Sequence, residues 1–205
     1  MSLTFYYAPM STASVTALIL EELEVPCERV KLDLKAGDAK KPDFVKLNPN
    51  AKVPVIVHDG TVLWESTAIT MYLGETFGVE KGLYPAAGPK RGEAMKWICW
   101  GGVTLVDAVY RWARNTSEWM PADQRNAKAG EIGRQEIDNC LRILDSALEG
   151  RSYLIGDFSL ADAHLFSLMG WLQYMKIDLS SHKHLMAWFG RCAERPASKR
   201  MMQNP

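Results

Sequence analysis

The chain has 205 residues and a mass of 23.0 kDa, with 47% apolar and 23% charged residues, which excludes a peptide module and global disorder. Lysine plus arginine balances aspartate plus glutamate at 24 each, so net charge gives no case for nucleic acid or an anionic membrane as partner. No apolar run approaches the roughly 18 residues of a membrane span, and the HExxH, GxGxxG, P-loop and GxSxG patterns are missing.

Residues 3–7 are β-prone. Residues 12–23 set Val15, Leu18, Ile19 and Leu23 at helical spacing, and Val25-Pro26 ends that run. Residues 28–34 alternate, with Val30, Leu32 and Leu34 on one face of a strand. A short helix is predicted over 40–47, opened by Pro42. Val53-Pro54-Val55-Ile56-Val57 and Thr61-Val62-Leu63-Trp64 flank Asp59-Gly60 as a hairpin. Glu65-Ser66 then introduces a helix over 67–77, with Ser66 suited to the N-cap. The order β-α-β-α-β-β-α predicts one mixed sheet covered by helices.

Gly78, Gly82, Pro85, Gly88 and Pro89 give the next stretch a linker composition. Everything beyond it reads as helix: 91–114, 124–149, a run opened by the capping-box pattern Ser159-Leu160-Ala161-Asp162, and 182–195, stopped by Pro196. The opening Met1-Ser2-Leu3-Thr4 carries no basic leader, and Cys27, Cys99, Cys140 and Cys192 are widely scattered. Free buried thiols in a reducing cytoplasm are the expectation. His182-x-His184 points its two rings to different sides of a helix and is not read as a metal pair.

Tyr7-Ala8-Pro9-Met10-Ser11-Thr12, Leu47-Asn48-Pro49, Lys52-Val53-Pro54-Val55, Trp64-Glu65-Ser66 and Ser159-Leu160-Ala161-Asp162 occur in an order and spacing that resembles the cytosolic glutathione transferases over nearly the whole chain. Met10-Ser11-Thr12 is most similar to their serine-type, phi-like branch. The resemblance implies an α/β thioredoxin-like domain over 1–78, a linker over 79–90, and an all-helical domain over 91–205 holding a hydrophobic acceptor site. It further implies a cytoplasmic homodimeric detoxification enzyme that joins the thiolate of glutathione, its cosubstrate, to hydrophobic electrophiles. No metal, nucleic acid or membrane partner is expected. Peroxide reduction, isomerisation, dehalogenation or ether cleavage on the same site is the alternative, as is a non-catalytic ligand carrier of the same fold.

Residue by residue, the resemblance implies a cis Val53–Pro54 bond and pairing of the Val53 backbone with the cysteinyl part of glutathione. Glu65 and Ser66 match the pair that holds the γ-glutamyl ammonium and carboxylate. Lys40 and Lys52 are candidates for the glycyl carboxylate or the peptide carbonyls. The phi-like pattern departs here, with Ala39 in place of a histidine and Lys52 in place of a glutamine. Ser11 is the candidate hydroxyl donor to the thiolate; Tyr6 is the runner-up, with Tyr7 and Thr12 behind it. The loop holds no cysteine, which disfavours a mixed disulfide. Met10, Tyr110 and Arg114 are the candidate acceptor-site residues, with Trp112 and Trp119 nearby.

Overall fold

The computed structural model describes residues 2–203. Four strands, β1 (Leu3–Tyr7), β2 (Glu28–Lys31), β3 (Val55–His58) and β4 (Thr61–Trp64), form one sheet in the order β2-β1-β3-β4. β1 runs parallel to β2 and antiparallel to β3, and β3 is antiparallel to β4, so the sheet is mixed. Helices α1 (Ala13–Leu23), α2 (Pro42–Leu47) and α3 (Ser66–Leu73) complete the β-α-β-α-β-β-α order. Strand alternation sends Tyr6 towards Phe44 of α2 on one face, while Phe5 and Tyr7 stack on the other. Asp59 and Gly60 both have positive φ, 46° and 84°, the left-handed pair a two-residue hairpin turn requires.

β2 stops three residues short of its predicted end. Asp33 accepts from the backbone of Lys35 and Ala36, and its own N–H donates to the Asp38 carboxylate, so side-chain turn chemistry displaces the ladder. The predicted helix over 40–47 divides into a 3-10 turn, Asp38–Lys40, and α2, with Pro42 at the start of the latter.

The second half is helical. α4 (Pro89–Trp100) runs through a π-helical turn (Gly101–Leu105) into α5 (Val106–Thr116), making one rod where a single helix was expected. Gly101 faces Leu165 so closely that an added Cβ would lie 2.5 Å from its Cδ2, and a Cβ on Gly102 would lie 2.1 Å from Thr67 Oγ1. The rod therefore touches both α3 and the central helix α7 (Leu160–Tyr174) only because these positions lack side chains. α6 (Ala127–Ala147) is capped by Asn126, α8 covers Lys183–Ala193, and α9 covers Pro196–Gln203. Pro196 does end α8, but it also starts α9, since a helix start tolerates a residue without an N–H.

α7 is buried on nearly every side. Its capping carboxylate, Asp162, accepts from the N–H groups of Leu154 and Ser159, the Ser159 hydroxyl, and Trp188 Nε1, at 2.9 to 3.0 Å. Burial raises its pKa, opposed by those donors. The two halves of the chain are joined by α1 against α7, by Glu22 paired with both Arg195 nitrogens at 2.8 and 2.7 Å, and by Thr70 of α3 on His164 of α7. His164 is wholly buried, and desolvation brings its pKa down to about 3, so it is neutral. All four cysteines are free; Cys140 and Cys192 are buried, but Cys27 is half-buried and Cys99 exposed, against the expectation of four buried thiols. No helix among the described residues is long and apolar enough to cross a membrane.

Candidate active site

Sheet register brings the N-terminal candidates together. Tyr6 pairs with Val55, and Val55 pairs with Trp64. The loop after β1, the Val53-Pro54 step before β3 and the Glu65-Ser66 step after β4 therefore lie at one end of the sheet. Tyr7 pairs with Lys31, so the loop carrying Lys40 leaves from that end too.

The first loop turns at Met10, whose φ of 55° is left-handed, and enters α1 at Ala13. The Ser11 hydroxyl donates to the Ala8 carbonyl at 2.6 Å and accepts from the Ala13 N–H at 3.2 Å. It thus closes the loop and satisfies the first N–H of α1, whose N-cap position is Thr12. Thr12 donates to the Val53 carbonyl at 3.4 Å, a long bond that ties this loop to the neighbouring edge. Tyr6 packs on Phe44, and among the described residues no hydrogen bond involves its hydroxyl.

Val53–Pro54 is cis. The step is propped by buried Asn48, whose amide donates to the Lys52 carbonyl at 2.7 Å and whose oxygen accepts from the Asn50 N–H at 3.0 Å. Asn48 is a structural support that sequence reasoning did not single out; its place in Leu47-Asn48-Pro49 was the available signal. Among the described residues the Val53 N–H has no partner, and Thr12 alone approaches its carbonyl. Lys40 and Lys52 are exposed and form no ion pair among those residues.

At the third edge, Glu65 is exposed with φ 72° and ψ 112°, a left-handed strain for a non-glycine residue. It occupies the N-cap position, so Ser66 is the first helical residue rather than the cap expected of it. The first backbone bond of α3 runs from the Ile69 N–H to the Glu65 carbonyl, leaving the N–H groups of Ser66, Thr67 and Ala68 facing outward. Such a helix start favours a carboxylate.

Next to this sheet end, α5 and α7 enclose a cavity of about 300 Å³. Val106, Val109, Tyr110 and Ala113 line it at i, i+3, i+4, i+7 on α5, Leu168 and Trp171 from α7 and Met175 just past its end, with Leu105, Trp119 and Thr12 completing the wall. Thr12 is the residue common to the cavity and the sheet end. Of the predicted acceptor residues, Tyr110 lines the cavity, Arg114 lies over the Tyr110 ring at 5.7 Å, and Met10 stands exposed in the loop outside the lining. The α7 residues were missed, because an apolar stripe facing a void has the same spacing as one facing a core. No cluster of three or more His, Cys, Asp or Glu among the described residues has the arrangement of a metal site.

Residues 1–75 match the family described as "Glutathione S-transferase, N-terminal domain", and residues 102–196 match "Glutathione S-transferase, C-terminal domain". The chain is 30% identical over 191 residues to glutathione S-transferase GstB of Escherichia coli K12, covering 92% of this chain and 91% of that one. Among solved structures, it superposes on a glutathione transferase from Methylococcus capsulatus with a TM-score of 0.85 at 28% identity, covering 98% and 97% of the two chains. A sphingomonad glutathione S-transferase, solved in complex with glutathione, is similar at a TM-score of 0.84 and 28% identity, with the same coverage of 98% and 97%.

Proposed function

The chain belongs to the glutathione S-transferase family and is a glutathione transferase, and from that premise we propose how its parts divide the work. Residues 1–78 hold glutathione, 79–90 connect, and 91–205 receive the acceptor. The observation that carries this reading is the convergence at one sheet end of the Ser11 loop, the Val53 step and the start of α3, the last two with free backbone groups, opening through Thr12 onto the apolar cavity.

The Val53 N–H and carbonyl pair with the cysteinyl residue as a short added strand. Ser66 and the free N–H groups of α3 take the γ-glutamyl carboxylate, and Glu65 takes its ammonium. Lys40 and Lys52 supply positive charge for the glycyl end. Ser11 donates to the sulfur at the entrance to α1. A thiol with a pKa near 8.5 is only about 3% ionised at pH 7, and lowering it by about two units requires about 2.7 kcal/mol. A hydroxyl bond to the anion contributes about 1.5–3 kcal/mol and the helix terminus about 0.3–1 kcal/mol. Together these suffice. The acceptor lies in the cavity, with Tyr110 and Arg114 at its mouth and Met10 as an adaptable flank. Ser11 aligns the chain with the serine-type branch, and detoxification in the cytoplasm by a homodimer is the setting this reading expects. Val103 and Met95, exposed on the rod, offer apolar surface for that pairing, whereas Trp97 is buried within its own subunit.

The deciding experiment is an ultraviolet titration of bound glutathione thiolate. Ser11→Ala is expected to raise the thiol pKa by more than one unit with little change in affinity. An unchanged titration removes Ser11 as the donor and makes Tyr6→Phe the next variant. Sedimentation at micromolar concentration tests the assembly, where a single species of 23 kDa refutes the dimer.

A further inference from the structure

The mouth of the cavity differs from its interior. The interior is almost entirely hydrocarbon and aromatic ring, and it offers little to solvate a charge. Tyr110 stands at the edge, about half exposed, its ring tilted 56° to that of Trp119 with centroids 6.4 Å apart. Arg114, one turn further along α5, holds its guanidinium carbon over the Tyr110 ring, 5.7 Å from the centroid. Every other arginine of the chain donates a hydrogen bond to a protein group. Arg114 makes neither a hydrogen bond nor an ion pair among the described residues. Arg111, on the same helix, shows the contrast, being paired with Asp107 and Glu136. Glu118, four residues on, forms no ion pair with Arg114, and Lys176, beside the lining residue Met175, is likewise without one.

A guanidinium that lies over a ring and donates to no protein group keeps its N–H edge free, and that planar fork matches a carboxylate. The volume points the same way. An apolar cavity of about 150 Å³ accommodates benzene, so about 300 Å³ suits one or two substituted rings and little more.

Resting on the reading of this cavity as the acceptor site, we propose that the acceptor is a small planar aromatic electrophile bearing an acidic group. Its ring lies among Tyr110, Trp119 and Trp171, and its anion lies on the Arg114 edge. In the substitution, the glutathione sulfur lone pair forms a carbon–sulfur bond at the activated ring carbon. The carbon–halogen bond breaks, and the halide departs with the bonding pair. The thiol proton has already passed to solvent.

The test uses two aryl chlorides, each activated by two nitro groups: 1-chloro-2,4-dinitrobenzene, which is neutral, and 4-chloro-3,5-dinitrobenzoate, which is anionic. For each, kcat/KM is divided by the uncatalysed rate constant with glutathione. The wild-type enzyme is expected to favour the benzoate, and the preference to shrink as ionic strength rises. Arg114→Gln is expected to cut the benzoate-to-neutral ratio about fivefold, Arg114→Glu further, and Arg114→Lys is expected to restore part of it. Retention on immobilised glutathione verifies that each variant is folded. A wild-type enzyme that turns over the neutral chloride but shows no preference for the benzoate overturns this inference and leaves the acceptor reading standing. An unchanged ratio in both Arg114→Gln and Arg114→Glu overturns it as well. Turnover of neither chloride overturns the conjugating reading and this inference with it.

Discussion

At the sheet end, main chain takes a large share of the proposed grip on the tripeptide: the N–H and carbonyl of Val53 and the first N–H groups of α3. In the cavity between α5 and α7, the wall is almost entirely side chain. A main-chain site has to be built by unusual backbone, here the positive φ of Glu65. A side-chain site needs only regular helices with the right residues on one face. The first kind fixes one ligand across many sequences, and the second is free to vary with the acceptor.

That contrast can be broken most strongly at Glu65, which with Lys40 and Lys52 is where side chains are proposed to carry charge to the ligand. Glu65→Gln is expected to weaken glutathione about tenfold by calorimetry, the lower end of a charged hydrogen bond. A dissociation constant within twofold of wild type would remove Glu65 from the ammonium. Trp171→Ala opens the cavity wall and is expected to lower acceptor kcat/KM about fivefold, from partial loss of one aromatic contact surface. Its glutathione affinity should move less than twofold, and equal losses in both would show that the two regions are not separable.

Their junction has its own titration. His164 has a folded pKa of about 3, below its ordinary value of 6.5, so the unfolded chain binds a proton between those values that the folded chain refuses. Stability is therefore expected to fall as pH drops from about 6.5 towards 3, with this group contributing at most about 1.4 kcal/mol per pH unit. Urea midpoints across that range, compared with His164→Gln, isolate the slope, and an identical slope in the variant would assign the acid sensitivity elsewhere. The smallest effect is expected at Val53→Ala. If the contact is main chain, glutathione affinity should change less than about threefold, and a larger loss would mean that the side chain itself grips the ligand.

The same division explains what could be read before the structure. Asp59-Gly60 and Ser159 with Asp162 are legible because turn and cap chemistry admits few residues, whereas Val53-Pro54 is legible only through the family resemblance. The end of β2 was not, because Asp33 has two uses: it fits an alternating strand, and its carboxylate also accepts from the Lys35 and Ala36 backbone. Pro196 was read as a stop because proline closes one helix as readily as it opens the next. Ser66 was read as a cap because serine suits that position, whereas the left-handed backbone of Glu65 moves the helix start by one residue. On α7 and at its C-terminal end, Leu168, Trp171 and Met175 spell a core stripe, and only the gap opposite them distinguishes wall from core.

The wide turn at Gly101–Leu105 sets the azimuth of everything beyond it. Successive residues of an α-helix are rotated by about 100°. Deleting one residue from that turn would leave the rod regular but swing Val106, Val109, Tyr110 and Ala113 around its axis by about that angle. The pocket would lose one side, and Arg114 would travel with it. One surplus residue, seated against Leu165 by a glycine, thus keeps the second half of the rod in phase with α7.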